Sequence, residues 1–374
     1  MLVKCGMIPY GRQKIDKKDI ASVKQVLESD FLTQGPKIAE FEHSLAEYCN
    51  SKYAVAVCNG TAALHLAYLA SGIKNGDEAI TTPNTFAATS NMLIAIGAKP
   101  VFCDIKLDTY NIDEDQIEKL ITKKTKAIIP VHFAGHPCEM NKILKIARKY
   151  KLTVIEDACH ALGASYKNKK IGSIGDMTIF SFHPVKSITT GEGGAILTSN
   201  KDMYEKLISL RSHGIKKNKD GKNIMTELGY NYRLTDIQAG LGLSQLNKLD
   251  DFIKTRSKIV SWYEKELANV EEISLPQYHP HCLSAWHLYV IRTNNPAQRD
   301  KLASHLKNSG IGVNYHYPAV YSHPYYQKNG FKNVHLNNED LYDSTCVTLP
   351  MHTHLQQKDI KYIANQIKNF YGIK

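Results

Sequence analysis

Short apolar runs alternate with stretches of helical periodicity between residues 53 and 200. The strand-like runs are YAVAVC (53–58), EAITT (78–82), KPVFCDI (99–105), KAIIPVHF (126–133), LTVIED (152–157), MTIFSF (177–182) and GGAILT (193–198). Helical patterns such as TAALHLAYLASG and FAATSNMLIAIG separate the early runs. Because the runs are apolar on both faces, they predict an α/β fold with a mainly parallel sheet covered by helices on both sides. The last two runs lack a connection of helical length, so part of the sheet is expected to be antiparallel.

The pattern changes beyond residue 200. A helical region covers roughly 200–270 and includes one long apolar-periodic stretch, DIQAGLGLSQLNKLDDFIKTRSKIVSWYEKEL. After SLPQYHP the chain continues with strand-like AWHLYVIR, a helix near 296–309, strand-like GVNYHY and a final helix from 356. This order predicts two domains, a large one at 1–252 and a smaller C-terminal α/β domain at 253–374.

Composition narrows the class of protein. Of the 374 residues, 43% are hydrophobic and 22% charged, as in soluble globular proteins. No run approaches the roughly 20 apolar residues that span a bilayer, and the first residues lack a signal core. The eight cysteines are scattered without a Cys-x-x-Cys pair. We therefore expect a cytoplasmic protein with reduced thiols and no membrane partner.

A net charge of +11 makes nucleic acid a partner to consider. The lysines are spread along the chain, however, and their densest cluster, KKNKDGK, is short and loop-like. No nucleic-acid-binding motif accompanies them, so we expect no nucleic acid partner. The histidines near 279–282 and 351–354 lack a convergent third ligand, and we expect no metal site.

Polar residues follow several of the predicted strands, at the edge of a parallel sheet where ligands bind. Asn59, Gly60 and Thr61 end the first strand and open a helix, and the free N–H groups of a helix start suit a phosphate. Such turns are common, so this one alone is a weak signal. It is neither a Walker loop nor a dinucleotide-binding fingerprint.

Asp157 and Lys186 follow two further strands, and each has a simpler explanation. Asp157 could cap a helix beginning at DACHALG, and Lys186 could be a solvated loop lysine. Both residues are expected at the same sheet edge as Ser181 and the Asn59–Thr61 turn, which favours a catalytic role instead. A lysine partly withheld from water becomes a nucleophilic amine, and pyridoxal phosphate needs such a lysine, an acid near its pyridine nitrogen, a phosphate cup and an aromatic face. Phe86 could supply that face, although it could equally be a core residue.

Three longer segments, IEDACHALGA, FSFHPVKSITTGEGGAILT and ELGYNYRLTDIQAGLGLSQL, closely resemble the DegT-like sugar aminotransferases. These are fold-type I pyridoxal-phosphate enzymes, and the resemblance extends over essentially the whole chain. Within the family, MIPYGRQ, DFLTQGP, PVHFAGHPCEM, RSHGI and SAWHLYVIR are most similar to members that act in pseudaminic acid biosynthesis. Those members aminate C4 of a UDP-linked 4-keto-6-deoxy-N-acetyl-L-hexosamine.

The resemblance implies a role for each matching residue. Lys186 would bind the cofactor covalently and carry protons, Asp157 would pair with the pyridinium, and His160 would lie near the cofactor's phenolic oxygen. The stacking and phosphate-binding residues would be Phe86, Gly60, Thr61, Ser181 and, from a second subunit, Asn231. The expected reaction uses glutamate as amino donor, in a homodimer with shared active sites.

Other segments resemble substrate-contacting stretches of the family. They comprise Tyr10, Asp30, Phe31, Leu32, Thr33, Asn314, Tyr315, His316 and Tyr317. His183 is expected near the sugar, but a structural role fits it nearly as well. After HYPAV the family pattern has a histidine, where this chain has Tyr321, with His323 two residues later.

Three alternatives remain at this stage. The enzyme could aminate another nucleotide-linked keto sugar, such as a D-configured UDP sugar or a GDP sugar. It could be a related dehydrase, but a histidine replaces the lysine there, and Lys186 argues against that. A non-catalytic sugar-nucleotide-binding protein would keep the fold without the reaction.

Overall fold

The structure, a computed structural model, describes residues 7–373. The strands are β1 Tyr53–Val57, β2 Glu78–Thr81, β3 Lys99–Phe102, β4 Thr125–Ile129, β5 Thr153–Asp157, β6 Ser165–Tyr166, β7 Lys169–Lys170, β8 Met177–Ser181, β9 Gly194–Thr198, β10 Ile215–Lys217, β11 Asn223–Met225, β12 Ile273–Ser274, β13 Cys282–Leu283, β14 Tyr289–Thr293 and β15 Cys346–Leu349. The helices are α1 Lys17–Leu27, α2 Pro36–Cys49, α3 Gly60–Ala70, α4 Ala88–Ala95, α5 Met140–Tyr150, α6 Lys201–Arg211, α7 Asp236–Leu246, α8 Leu249–Leu267, α9 Pro296–Asn308, α10 Pro324–Tyr326, α11 Asn337–Thr345 and α12 Gln357–Tyr371.

A seven-stranded sheet in the order β1-β9-β8-β5-β4-β2-β3 forms the centre of the larger part of the molecule. Its strands from β8 to β3 run parallel, while β9 is antiparallel to both β1 and β8. All seven strands match the seven apolar runs of the sequence. The predicted mixture of mainly parallel with some antiparallel pairing is therefore confirmed.

Local sequence signals fix where the helices beside this sheet begin and end. The side chain of Asn59 accepts a hydrogen bond from the Ala62 N–H at 2.8 Å and caps α3. Thr235 and Gln238 form a reciprocal capping box at the start of α7. Asn50 and Lys151 end α2 and α5 in the left-handed conformation. The cap at Asn59 thereby fixes the turn between β1 and α3 at the sheet edge.

The long helical stretch predicted at 236–267 is two helices. The break falls at Asn247 and Lys248, between α7 and α8. Lys248 Nζ lies 2.6 Å from the buried carboxylate of Asp19 on α1, and Gln245 donates to the same carboxylate at 2.8 Å. Apolar periodicity continues across the bend, so the sequence pattern alone predicts a single helix.

A second, antiparallel sheet of β12, β14 and β15 lies in the C-terminal part. The predicted strand AWHLYVIR contains β14, and the predicted helices near 296–309 and from 356 are α9 and α12. The predicted strand GVNYHY is wrong: it makes a single bridge, between Asn314 and Thr348. The regular neighbour of β14 is β15, which the sequence pattern did not reveal.

Two large hydrophobic clusters lie on either side of the predicted domain boundary at 252/253. One includes Phe252 and Ile253 together with residues from α2, α5 and the main sheet. The other begins at Ile259 and includes residues of α8, α9, β14 and α12. The boundary itself lies inside α8 and stays a prediction.

The lysine-rich segment KKNKDGK is not only a loop. Lys216 and Lys217 belong to β10, and the remaining residues form the turn of an antiparallel hairpin, β10–β11, which exposes Ile224 and Met225. The cysteines of residues 7–373 are all free thiols; Cys5 lies outside the described residues. None of the helices in this range is both long and apolar enough to cross a membrane.

Candidate active site

A cavity of about 750 Å³ opens at the carboxyl ends of β1, β5 and β8. Predicted site residues that line it are Tyr10, Gly60, Thr61, Phe86, Asp157, His160, Ser181, His183, Lys186, Asn314, Tyr315, His316 and Tyr317. Five others, Asp30 to Thr33 and Asn231, do not line it in this chain. The fold thus brings together residues that are up to 307 positions apart in sequence.

Asp157 ends β5 and is buried. Thr89 donates its hydroxyl to Asp157 Oδ2 at 2.6 Å, and the Cys159 N–H donates to Oδ1 at 3.2 Å. Residues 158–164 form turns, so Asp157 does not cap a helix. A buried carboxylate with these two donors keeps its orientation, and it remains available for a cationic partner in the cavity.

Lys186 is only partly exposed, and its amine lies in the cavity wall. Burial lowers the pKa of this amine from its ordinary value, an effect that the neighbouring Cys159 and Asp157 oppose. Its backbone N–H donates to the His183 carbonyl at 2.9 Å, which holds the turn that carries it. Lys186 is therefore not a freely solvated loop lysine.

The N-terminus of α3 faces the same cavity. Asn59 caps the Ala62 N–H, while the N–H groups of Gly60 and Thr61 precede the first intrahelical bond and point toward this end of the helix. A Cβ on Gly60 would lie 3.1 Å from Ser181 Cβ. The space kept open at Gly60 beside the Ser181 hydroxyl suits a phosphate group.

Gly193 and Gly194, which follow Lys186, have little free space around them, at the place where β9 meets the turn that opens α3. A Cβ on Gly194 would lie 2.6 Å from the backbone carbon and oxygen of Asn59, and one on Gly193 would meet the Thr190 hydroxyl. Gly194 therefore lets β9 pack directly against the turn that opens α3. Gly193 in turn leaves room for the side chains of Thr190, Phe182 and Leu234.

Phe86 is 63% exposed although it follows an internal strand. Its ring lines the cavity and meets Tyr317 edge to face, with centroids 6.3 Å apart. A core phenylalanine would be covered, so the alternative that Phe86 is only a core residue is wrong. An exposed ring in a cavity wall offers a stacking face to a flat ligand.

His160 lies deeper in the cavity. Its Nε2 is 3.0 Å from the Tyr317 hydroxyl, its ring is 4.4 Å from that of His287, and its Nδ1 has no partner among the described residues. Burial, then the charge of Lys186 and of His316, lowers the pKa of His160 well below its usual value. Burial, and then the charges of His160, Lys186, Arg256 and His316, lowers the pKa of His287 well below its usual value. These rings are therefore neutral at neutral pH.

The remaining predicted residues have distinct surroundings. His316 is buried against Thr348, with Nδ1 2.9 Å from Oγ1, and burial lowers its pKa to about 4. The Tyr315 hydroxyl donates to Asp300 at 3.0 Å. His183 presents its side chain to the cavity, while its carbonyl supports Lys186. The backbone of His183 therefore has a structural role, and its side chain is available to a ligand in the cavity.

The segment from Asp30 to Thr33 is exposed on the surface, where the Asp236 N–H donates to the Leu32 carbonyl at 3.0 Å. Asn231 is also exposed and bridges to Ser212. Phe31 and Leu32 are about half exposed. The cavity of one chain therefore forms without these residues.

Sequence reasoning missed three contributors. Thr89 lies three residues after Phe86, at the start of α4, a spacing that could have indicated a shared face. His287 was quoted within SAWHLYVIR but given no role. His323 lines the cavity, whereas Tyr321 is buried and donates its hydroxyl to Asp340 at 2.5 Å. The position where the family pattern has a histidine is thus a core position here.

These residues fit pyridoxal phosphate. A Cβ at Gly60 would narrow the phosphate cradle, Phe86 has a free face, and Nδ1 of His160 is a buried polar atom without a partner. Within the described range, no three side chains of His, Cys, Asp or Glu are grouped closely enough to hold a metal ion.

Known proteins resemble the chain over nearly its full length. The DegT/DnrJ/EryC1/StrS aminotransferase family matches residues 13–368. The UDP-4-amino-4,6-dideoxy-N-acetyl-beta-L-altrosamine transaminase of Campylobacter jejuni subsp. jejuni (strain 81-176) is 42% identical, over 96% of each chain. The uncharacterized protein MJ1066 of Methanocaldococcus jannaschii is 43% identical, over 98% of each.

Solved structures of sugar aminotransferases also resemble the chain over nearly its full length. Helicobacter pylori PseC, an aminotransferase involved in the biosynthesis of pseudoaminic acid, has a TM-score of 0.93 and 34% identity, covering 98% of this chain and 99% of its own. Spr1654 from Streptococcus pneumoniae, solved in PLP and PMP forms, has a TM-score of 0.93 and 31% identity, over 98% of this chain and at least 98% of its own. These neighbours confirm the fold-type I prediction. The chain therefore belongs to the DegT/DnrJ/EryC1/StrS family of sugar aminotransferases, which depend on pyridoxal phosphate, as the sequence predicted.

Proposed function

We propose that this enzyme transfers an amino group from glutamate to C4 of a UDP-linked 4-keto-6-deoxy-N-acetyl-L-hexosamine, in pseudaminic acid biosynthesis. The observation that carries the proposal is the meeting of Lys186, Asp157 and the Gly60–Thr61 turn in one cavity of about 750 Å³. The 42% identity with the C. jejuni UDP-sugar transaminase supports the choice of substrate.

Lys186 is the proposed covalent anchor and proton carrier. Because burial lowers the pKa of its amine, more of it is unprotonated near neutral pH than of a solvated lysine. An unprotonated amine can attack a carbonyl carbon and, once released, can remove and return a proton at the carbon beside it. The turn held by the His183 carbonyl fixes the amine within the cavity.

Pyridoxal phosphate, when bound, supplies the aldehyde and the electron-accepting ring that amino transfer requires. Asp157 would hold a proton on the pyridine nitrogen, since the Thr89 hydroxyl and Cys159 N–H leave its carboxylate oriented toward the cavity. Gly60, Thr61 and Ser181 would hold the phosphate, Phe86 would cover one ring face, and His160 would lie by the phenolic oxygen.

The sugar would bind between Tyr10 and the segment from Asn314 to Tyr317, with His183 near it. Within this segment, His316 contacts Thr348 of β15 and so anchors the segment to the C-terminal sheet. The neutral histidines lining this side leave the amine of Lys186 as the main cationic group there. A cavity wall made of neutral histidine side chains is compatible with an uncharged sugar ring.

A homodimer with shared active sites is part of the proposal. Asn231 would complete the phosphate site, and residues 30–33 the substrate site, of the partner. Their exposure in the single chain, with Phe31 and Leu32 about half exposed, supports this assignment. A cytoplasmic location stays a prediction from the sequence.

The test is a panel of UDP- and GDP-linked 4-keto sugars in D and L configuration, incubated with the purified holoenzyme and glutamate. The expected product, identified by NMR, is the 4-amino L-hexosamine linked to UDP. Preference for a D-configured or GDP-linked sugar would contradict the proposed substrate while leaving the aminotransferase assignment intact. Replacing glutamate by alanine or aspartate tests the donor, and glutamate should give the fastest turnover.

A further inference from the structure

Lys186 lines a second, much smaller cavity in addition to the active site. This cavity has a volume of about 10 Å³ and lies between the N-terminal segment 12–14, the turn that carries Lys186 and the helix α8. We name it the α8 cavity. A buried site for one water-sized particle needs about 10–15 Å³. The α8 cavity is therefore too small for a sugar, an amino acid or a phosphate group, and it suits a single atom or a water molecule.

The ionisable residues around the α8 cavity all carry positive charge. They are Arg12, Lys14, Lys186 and Arg256. None of the described residues that line the cavity is an aspartate or a glutamate. In the holoenzyme Lys186 would hold the cofactor, which leaves three cationic side chains. Cationic groups without a carboxylate between them repel one another, and their combined field favours an anion over a cation.

Arg256, on α8, is the most buried of these residues, with 3% of its surface exposed. Its Nη1 donates to the Trp286 carbonyl at 3.0 Å, and also to the carbonyls of Met351 at 3.2 Å and His287 at 3.3 Å. Its Nε is buried and has no partner among the described residues. Burial lowers the pKa of this guanidinium to about 10, and no carboxylate of the described residues opposes the effect. Arg256 is thus a buried cation without a counter-charge.

A buried cation is costly unless an opposite charge compensates for its desolvation. The carbonyl groups around Arg256 contact Nη1 alone and bring only partial charges. A water molecule in the α8 cavity would accept a hydrogen bond but leave the net charge uncompensated. A monatomic anion accepts the same hydrogen bonds, supplies a full negative charge and fits the small volume.

We propose that the α8 cavity binds one monatomic anion, such as chloride, and that Arg256 is its principal ligand. The inference goes beyond the proposed function and holds for whichever sugar the enzyme aminates.

The anion would also hold the N-terminal segment in place. Gln245 donates from Nε2 to the Lys14 carbonyl at 3.0 Å, which positions segment 12–14 at the cavity. Tyr10, which lines the active site, lies just before this segment. An anion bound by Arg256 and by the cations of segment 12–14 therefore connects α8 to the part of the chain that carries Tyr10.

The direct test is a crystal structure of the wild-type holoenzyme, crystallised with gluconate as the anion and then soaked in sodium bromide. Bromide scatters anomalously and replaces chloride, so we expect an anomalous peak in the α8 cavity within hydrogen-bonding distance of Arg256. Density in the cavity without an anomalous signal would identify a water molecule and overturn the inference. Peaks confined to surface lysines, an adventitious ion only, would overturn it as well.

Melting curves of the holoenzyme provide a second test in solution. Replacing gluconate by chloride at constant ionic strength leaves charge screening unchanged. A rise in the melting temperature of the wild type then reports chloride binding to the folded protein. Arg256→Met should raise the Kd for chloride by about tenfold to 150-fold, the effect of losing a hydrogen bond between charged groups. Arg148→Met, at an exposed arginine of α5, is the matched control and should respond to chloride as the wild type does.

An equal response to chloride in the wild type and in Arg256→Met would overturn the inference, and so would a wild type that does not respond. If Arg256→Met does not fold, the bromide structure still decides, because it uses the wild-type protein.

Discussion

The Tyr317 hydroxyl lies 3.0 Å from Nε2 of His160, so two residues that the sequence assigned to separate ligands contact each other. Burial raises the pKa of Tyr317 above its usual value and lowers that of His160 well below it. Both groups are therefore neutral, and a single hydrogen is shared in this contact. Tyr317 consequently helps to fix which nitrogen of His160 carries its proton.

We expect Tyr317→Phe to weaken both cofactor binding and turnover. The substitution leaves a buried ring nitrogen of His160 without its partner, which costs about 1–3 kcal/mol. Turnover should fall about tenfold, and titration of the apo-protein with pyridoxal phosphate should give a higher Kd. Tyr263→Phe, which loses a buried hydroxyl bonded to the Pro350 carbonyl, serves as control. Equal cofactor affinity and turnover in wild type and Tyr317→Phe would remove Tyr317 from this role.

Lys186→Ala should retain pyridoxal phosphate and lose the reaction. The phosphate cradle and Asp157 remain, but the proton carrier is gone, so turnover should fall by about 10²–10⁴-fold. Wild type treated with borohydride should carry the cofactor covalently on Lys186, detected by peptide mass. The exposed Lys332→Ala variant should behave as wild type. Retained turnover in Lys186→Ala would assign the proton transfer to another group.

The sequence predicted most of the site because its residues follow strands. The strands formed by the apolar runs end at Val57, Asp157 and Ser181. β5 and β8 pair in parallel, and β1 runs in the same direction because β1 and β8 are both antiparallel to β9, so the three ends meet at one edge. The spacing of Thr89 from Phe86 indicates a shared face, but its hydrogen bond to Asp157 depends on where the fold places the start of α4 relative to the end of β5. Likewise, Tyr321 takes a buried position and His323 lines the cavity, because Asp340 on α11 provides an acceptor for the Tyr321 hydroxyl.

The C-terminal part was predicted less well. Polar and aromatic residues in GVNYHY alternate as in a strand, but His316 turns inward to Thr348 and only Asn314 makes a bridge. The segment lines a cavity instead of continuing a sheet. Pattern alone cannot distinguish these outcomes, because both alternate buried and exposed side chains.

Gly194→Ala should destabilise the protein and weaken cofactor binding together. The added Cβ would lie 2.6 Å from the Asn59 backbone, so β9 and the turn opening α3 must separate. Overpacking of this kind costs about 1–3 kcal/mol, measured as a lower free energy of unfolding in urea. Gly11→Ala is the control, because its Cβ would make an ordinary 3.5 Å contact with Val185. A destabilised variant with unchanged cofactor affinity would show that the α3 turn tolerates the shift.

Glu339, on α11, is buried, and neither of its carboxyl oxygens has a partner among the described residues. Burial raises the pKa of this carboxyl well above its usual value, and Asp343, Asp104 and Asp340 add to the effect. The folded protein thus binds this proton more tightly than the unfolded chain does. The resulting stabilisation is complete below the ordinary pKa of about 4.5 and is lost as pH rises.

Glu339→Gln should therefore raise the melting temperature at pH 8, because the amide cannot ionise. The gain should shrink as pH falls toward about 4.5, changing by at most about 1.4 kcal/mol per pH unit, the limit for one titrating group. Melting curves from pH 5 to 8 measure it. Glu47→Gln, an exposed residue of α2, should show no such dependence. If the variant melts no higher than wild type at pH 8, ionisation of Glu339 does not destabilise the folded protein.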